Sequence, residues 1–125
     1  MKTIINTPSA PAPIGPYNQA VLVNGTLYVS GQIPLDPTTG KLVEGDIKAQ
    51  ALQVMQNLGA ILQAAGLDFS NVVKCSIFLK DMHDFPKVNE VYGRFFTANP
   101  PARETVQVGA LPMFVDVEIS CIAVV

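Results

Sequence analysis

Arg103 is one of only two arginines in this 125-residue sequence, and Glu118 is the only acidic residue between Val117 and Val125. A guanidinium suits a substrate carboxylate, because its planar fork offers two parallel hydrogen bonds. It would serve equally well in a salt bridge between subunits. If a strand already runs at this point, alternation puts Arg103 and Thr105 on one face and Glu104 on the other, so Glu104 need not neutralise the arginine. Glu118 shares a strand face with Asp116 and Ser120, which fits a solvated face. Ile122 and Val124 continue that face as apolar. A carboxylate at such a border has its pKa raised and is suited to handling a proton or a water.

Other residues could join them. Tyr17 ends a proline-rich loop, where its ring would wall a pocket or simply pack. Ser30-Gly31 leaves a strand for a loop, and a glycine there brings main-chain groups close to a ligand or serves structure alone. Asn89 and Tyr92 lie one helical turn apart, and core packing accounts for Tyr92. His83 is the only histidine, which excludes a pair of histidines as acid and base within one chain. It lies in the polar stretch Asp81-Met82-His83-Asp84 and reads as a surface residue. Cys75 and Cys121 have no metal-ligand spacing and read as inert buried thiols. No glycine-rich nucleotide motif is present. These absences point to a site with neither cofactor nor metal. The net charge of −2 gives no basic patch for nucleic acid.

The elements that must position these residues follow from hydrophobic period and turn chemistry. After Ile4-Ile5, four prolines between Asn6 and Pro16 impose a loop. Ala20–Val23, Asn24-Gly25 and Thr26–Val29 form a hairpin signal, since Asn-Gly accepts the positive φ angles of a type I′ turn. Gly31 to Gly45 reads as a turn-rich loop. From Asp46 to Ala65 the apolar residues recur at three and four positions, with Asp46 as cap and Gly66 as stop. Val72 to Leu79 reads as a strand buried on most of both faces. A second helix follows, capped by Asp84, with Val88, Val91, Tyr92, Phe95 and Phe96 as its face and Asn99-Pro100-Pro101 as its end. Thr105 to Val108 and Phe114 to Val125 read as two further strands around a Leu111-Pro112 turn.

This order predicts one α+β domain over residues 1–125, a single mixed β-sheet with two helices packed on one face. Two helices cannot cover both faces, and the strands are too apolar to leave one in water, so sister subunits should cover it. The 14% of charged residues is low for a soluble chain, which agrees. Neither a secretion signal nor a membrane span is indicated, and a cytoplasmic protein is expected.

Taken together, the segments closely resemble the RidA/YjgF family of reactive-intermediate (enamine/imine) deaminases. The resemblance is carried by Ile14-Gly-Pro-Tyr-Asn-Gln-Ala20, Ser30-Gly-Gln-Ile-Pro-Leu-Asp-Pro37, Ala64-Ala-Gly66, Val72-Val-Lys74, Phe78-Leu-Lys-Asp81, Phe85 with Val88-Asn89 and Tyr92, Pro101-Ala-Arg103, and Leu111-Pro112 with Val117-Glu-Ile119. It implies a chorismate-mutase-like protomer in a homotrimer with sites between subunits. It further implies a cofactor-free 2-iminobutanoate/2-iminopropanoate deaminase, which hydrolyses 2-enamino and 2-imino acids such as 2-aminoacrylate and 2-aminocrotonate to 2-oxo acids and ammonia, detoxifying reactive metabolites. By the same resemblance Arg103 would bind the carboxylate, Glu118 would position water and Tyr17 would line the pocket. Main-chain groups at Gly31 and Thr105 would complete the site, with Ser30 and Asn89 as lesser members. Many relatives carry cysteine where this chain has Thr105, and a small residue where it has Glu104. The competing reading is a regulatory trimer that binds small carboxylates without turnover.

Overall fold

The computed structural model describes all residues, 1–125. Strands β1 (Thr3–Ile5), β2 (Ala20–Val23) and β3 (Thr26–Gln32) open the chain, followed by a two-residue pair, β4 (Leu35–Asp36) and β5 (Lys41–Leu42). Helix α1 (Ile47–Ala64), β6 (Val72–Leu79), α2 (Phe85–Gly93), β7 (Ala102–Gln107) and β8 (Val117–Val124) complete it. The main sheet runs β1-β2-β3-β8-β6-β7. Every neighbouring pair is antiparallel except β6 and β7. That parallel pair needs a crossover, and α2 lies in it. The sheet is therefore mixed, with both helices on one face, as the pattern predicts.

Local chemistry explains the boundaries. Asn24 and Gly25 take φ of 50° and 75°, the type I′ turn expected of Asn-Gly. The Asp46 carboxylate accepts from Ala49 N–H at 3.0 Å and starts α1. Gly66, at φ 77°, ends it, with Leu67 N–H returning to Leu62 C=O at 2.9 Å; this 6→1 bond satisfies a carbonyl the helix leaves free. The core holds 22 buried residues. Leu27, Val29, Cys75, Ile77, Leu79, Val117, Ile119, Cys121 and Ala123 on the strands meet Val54, Met55, Leu58, Ile61 and Leu62 on α1 and Val88, Val91 and Tyr92 on α2. No helix is long and apolar enough to cross a membrane.

Several boundaries differ from expectation. Helix α2 stops at Gly93, and Asp84 makes no capping bond; instead Asp81 accepts from His83 N–H and caps a short 3-10 turn before it. Phe95 and Phe96 continue the helical spacing of α2, yet they pack around Phe69 with ring centroids at 5.1 and 5.4 Å. The aromatic cluster holds them as a turn, so apolar period alone overextends the helix. Residues 31–45 contain the small β4–β5 hairpin. Strand β7 starts at Ala102, and β8 starts at Val117 after a 3-10 turn at Pro112–Phe114. Strand β6 is buried on one face only, with Val73 exposed and Lys74, Ser76 and Phe78 half-buried.

Two buried amides fix the loops that border the open face. Gln19 receives Thr7 N–H at 2.6 Å and donates to the carbonyls of Thr7, Ala10 and Pro11. Because a buried amide must be paired, the proline-rich loop is held in one path. Asn57 on α1 donates to Ile33 and Leu35 carbonyls at 3.1 and 2.9 Å. This anchors the chain leaving β3.

Candidate active site

Arg103 lies on edge strand β7, opposite Cys75 of β6, and its side chain turns toward α2. Its guanidinium carbon stands 4.9 Å from the Tyr92 ring centroid and 5.3 Å from that of Phe85. Nη1 donates to Asn89 Oδ1 at 2.7 Å. Asn89 and Tyr92 are one turn apart on α2 and therefore face Arg103 together. Two ring faces and one amide oxygen hold the cation without neutralising it, since no carboxylate lies within 4.0 Å of it. Its forked donors border a cleft of about 430 Å³ lined by Asn89, Tyr92, Gly93, Phe96, Pro100 and Pro101. Chemically this is a receptor for an anion, oriented before the anion arrives.

Glu118 occupies a different setting. It is opposite Phe78 on the face of the sheet away from the helices, half-buried, and burial raises its pKa above the usual glutamate value. Gly31 explains how it fits. A Cβ at residue 31 would stand 2.7 Å from the Glu118 carboxyl carbon, so only a glycine lets the side chain lie across β3. The role of this glycine is space, since its φ lies outside the left-handed region. The same stretch is irregular, with the β3–β8 register shifting between Val29 and Gln32. Ser30 Oγ donates to Asn18 C=O at 2.6 Å, tying the end of the proline-rich loop to β3. Tyr17, half-exposed, receives Ile14 N–H on its hydroxyl at 3.4 Å and borders a small recess with Ile14 and Gly31.

The sequence-predicted residues thus fall into two groups. Arg103, Asn89 and Thr105 gather on the helix side, and Glu118, Gly31, Ser30 and Tyr17 gather on or beside the open face. The ladder makes the separation unambiguous: Arg103 is level with Cys75 and Glu118 with Phe78, three residues apart on β6 and so on opposite faces. Within one chain the two groups do not meet.

Glu104 obeys the same alternation. It pairs with Lys74 Nζ at 2.7 Å and accepts from Ser76 Oγ, on the face away from Arg103. His83 is a surface residue bonded to Asp81 at 2.7 Å. Cys75 and Cys121 are buried free thiols, with burial pushing Cys121 up to about 12. Sequence reasoning missed two things. Tyr92 is core, but its ring is also the platform under Arg103, and Phe85 is the second platform. The signal was available in the helical spacing of Phe85, Asn89 and Tyr92, at intervals of four and three residues.

Comparison with known proteins adds the following. A family model described as Endoribonuclease L-PSP matches residues 7–125. Protein DfrA of Myxococcus xanthus is 60% identical over 122 residues, covering 96% of this chain and 93% of that protein. The human 2-iminobutanoate/2-iminopropanoate deaminase is 49% identical over 124 residues, covering 99% and 90%. Among solved structures, E. coli TdcF with bound serine superposes with a TM-score of 0.94 at 43% identity, covering 98% of each chain.

Proposed function

The chain belongs to the endoribonuclease L-PSP family, that of the RidA/YjgF proteins, and from this premise we propose that it hydrolyses 2-enamino and 2-imino acids to 2-oxo acids and ammonia. The observation that supports this reading most is the un-neutralised Arg103, clamped by Asn89 and two rings at the edge of an open cleft. The fork takes the substrate carboxylate and so fixes the adjacent Cα. The enamine accepts a proton at its methylene carbon to become the imine. Water held by Glu118 then adds to Cα, giving a carbinolamine that expels ammonia and leaves the 2-oxo acid.

Glu118 suits the proton transfers because burial makes its carboxylate more basic than usual. Since Arg103 and Glu118 lie on opposite faces of one sheet, a working site takes one from each of two neighbouring subunits. A homotrimer built on the open apolar face, with three such sites, meets that requirement, and no cofactor has a step to perform. That a serine-bound relative shares the fold agrees with a small ligand bearing a carboxylate.

An assay that generates 2-aminoacrylate in situ and follows its loss tests the proposal. Decay faster than in buffer is expected. Decay at the buffer rate, with a 2-oxo acid still bound, would instead establish a carboxylate-binding protein without turnover. Because the 60% identical relative carries another name, that second reading is worth the control. The ribonuclease in the family description finds less support, since the net charge is −2 and the single histidine lies on the surface.

A further inference from the structure

The open cleft beside Arg103 is larger than 2-aminoacrylate requires. Its volume of about 430 Å³ lies within the range of pockets that hold drug-sized ligands, whereas 2-aminoacrylate brings only a handful of non-hydrogen atoms. Beyond the polar end made by Arg103 and Asn89, the lining is Tyr92, Gly93, Phe96, Pro100 and Pro101. The rings stand in succession: the guanidinium carbon is 4.9 Å from the Tyr92 ring centroid, and the Tyr92 and Phe96 centroids are 4.7 Å apart. Phe69 meets Phe96 edge to face, with centroids at 5.4 Å, so this wall is fixed before any guest arrives. Two consecutive prolines, each with φ locked by its ring, stiffen another part of the lining. Gly93, at the C-terminal end of α2, keeps the space open, because a Cβ built there would meet nothing within 4 Å.

We propose that this lining is a side-chain subsite, and that the 2-imino acids it favours carry a large apolar side chain, branched or aromatic, rather than a methyl group or a methylene. The inference rests on the carboxylate role proposed for Arg103 and names the substrate class of the same site. Once the fork holds the carboxylate, a short substituent ends near Tyr92, and only a longer one reaches Phe96 and the prolines. The Tyr92 hydroxyl is buried against the Cys75 thiol, and the Asn89 amide oxygen is already taken by Arg103. The inner lining therefore presents carbon to the cleft. A polar side chain placed there would give up water without replacement, whereas an apolar one gains by leaving it. Because rings and prolines are already rigid, little ordering opposes that gain.

Titration calorimetry with 2-oxobutanoate, 4-methyl-2-oxopentanoate and 2-oxo-4-phenylbutanoate tests the proposal on wild type and on Gly93→Leu, whose added side chain enters the open part of the cleft. The two larger acids are expected to bind wild type about 10-fold or more tightly than 2-oxobutanoate, and Gly93→Leu to remove that advantage while leaving 2-oxobutanoate within about twofold. Gly93→Ala, which fills less and favours the helix, should give a smaller loss of the same sign. Equal affinity of wild type for the three acids overturns the proposal, as does an undiminished advantage in both variants. A Gly93→Leu protein that weakens all three acids alike overturns it too. So does one that no longer assembles as wild type does, because the cleft would then be a contact between subunits. Should no 2-oxo acid bind wild type, the carboxylate role of Arg103 fails and the subsite with it, a different result from three equal affinities.

Discussion

The Arg103 patch and the Glu118 patch are built in opposite ways. Arg103 is exposed at its tip but immobilised, its guanidinium fixed by an amide oxygen and two rings from a helix that is itself part of the core. Glu118 is half-buried and has no hydrogen-bond or ionic partner, lying over a glycine on a face that keeps Tyr28 and Val106 exposed. One patch is preorganised by its own chain. The other has its carboxylate prepared but its surroundings open. On the proposed reading, binding and proton handling fall on separate faces, and it is a second subunit that brings them together.

Variants can break this contrast in order of expected effect. Arg103→Ala removes the anion receptor and should lower kcat/KM for 2-aminoacrylate by on the order of 10³ or more; a near wild-type rate in the in situ assay would end the carboxylate role. Glu118→Gln should lower kcat by about 10² to 10⁴ while changing KM little. The wild-type pH profile should show an acid limb above the ordinary glutamate value of 4.5, absent in the variant. Stability gives an independent check on Glu118. Because burial raises its folded pKa, the native state holds the proton more tightly than the unfolded chain does. The charge therefore costs stability at high pH, and the cost disappears as pH falls toward the unfolded value. Thermal unfolding should show Glu118→Gln raising Tm near about pH 8 and doing so less at low pH.

Smaller effects sharpen the contrast. Gly31→Ala should fold, since the atom it meets is the end of a flexible side chain, but it displaces the carboxylate. A loss of roughly 10-fold or more in kcat with unchanged 2-oxobutanoate affinity is expected; equal losses in both would mean that Gly31 serves binding instead. Glu104→Gln, whose carboxylate faces away from Arg103 and pairs with Lys74, should leave 2-oxobutanoate affinity within about twofold of wild type. A large change in that value would show that the two faces communicate.

Much of this division could be read from the residues, because it rests on period. The alternation of Arg103, Glu104 and Thr105 correctly separates their faces, and scarcity of arginine draws attention to Arg103. The Asn-Gly hairpin and the capped α1 follow from turn and cap chemistry alone. What escaped depends on distant contacts. The end of α2 is set by Phe69, more than twenty positions earlier, and the reason for Gly31 is a carboxylate arriving from β8. The platform role of Tyr92 was hidden because a core aromatic and a cation-binding aromatic share the same helical spacing.

The central claim is that Arg103 and Glu118 act together across a subunit boundary, and mixing two inactive proteins tests it most directly. Arg103→Ala and Glu118→Gln chains, each inactive alone, are unfolded together, refolded and assayed on 2-aminoacrylate. The account predicts that activity returns, to about a quarter of the wild-type level for equal random mixing, since that share of boundaries pairs an intact arginine with an intact glutamate. Mixed assemblies that form but remain as inactive as either parent would contradict it.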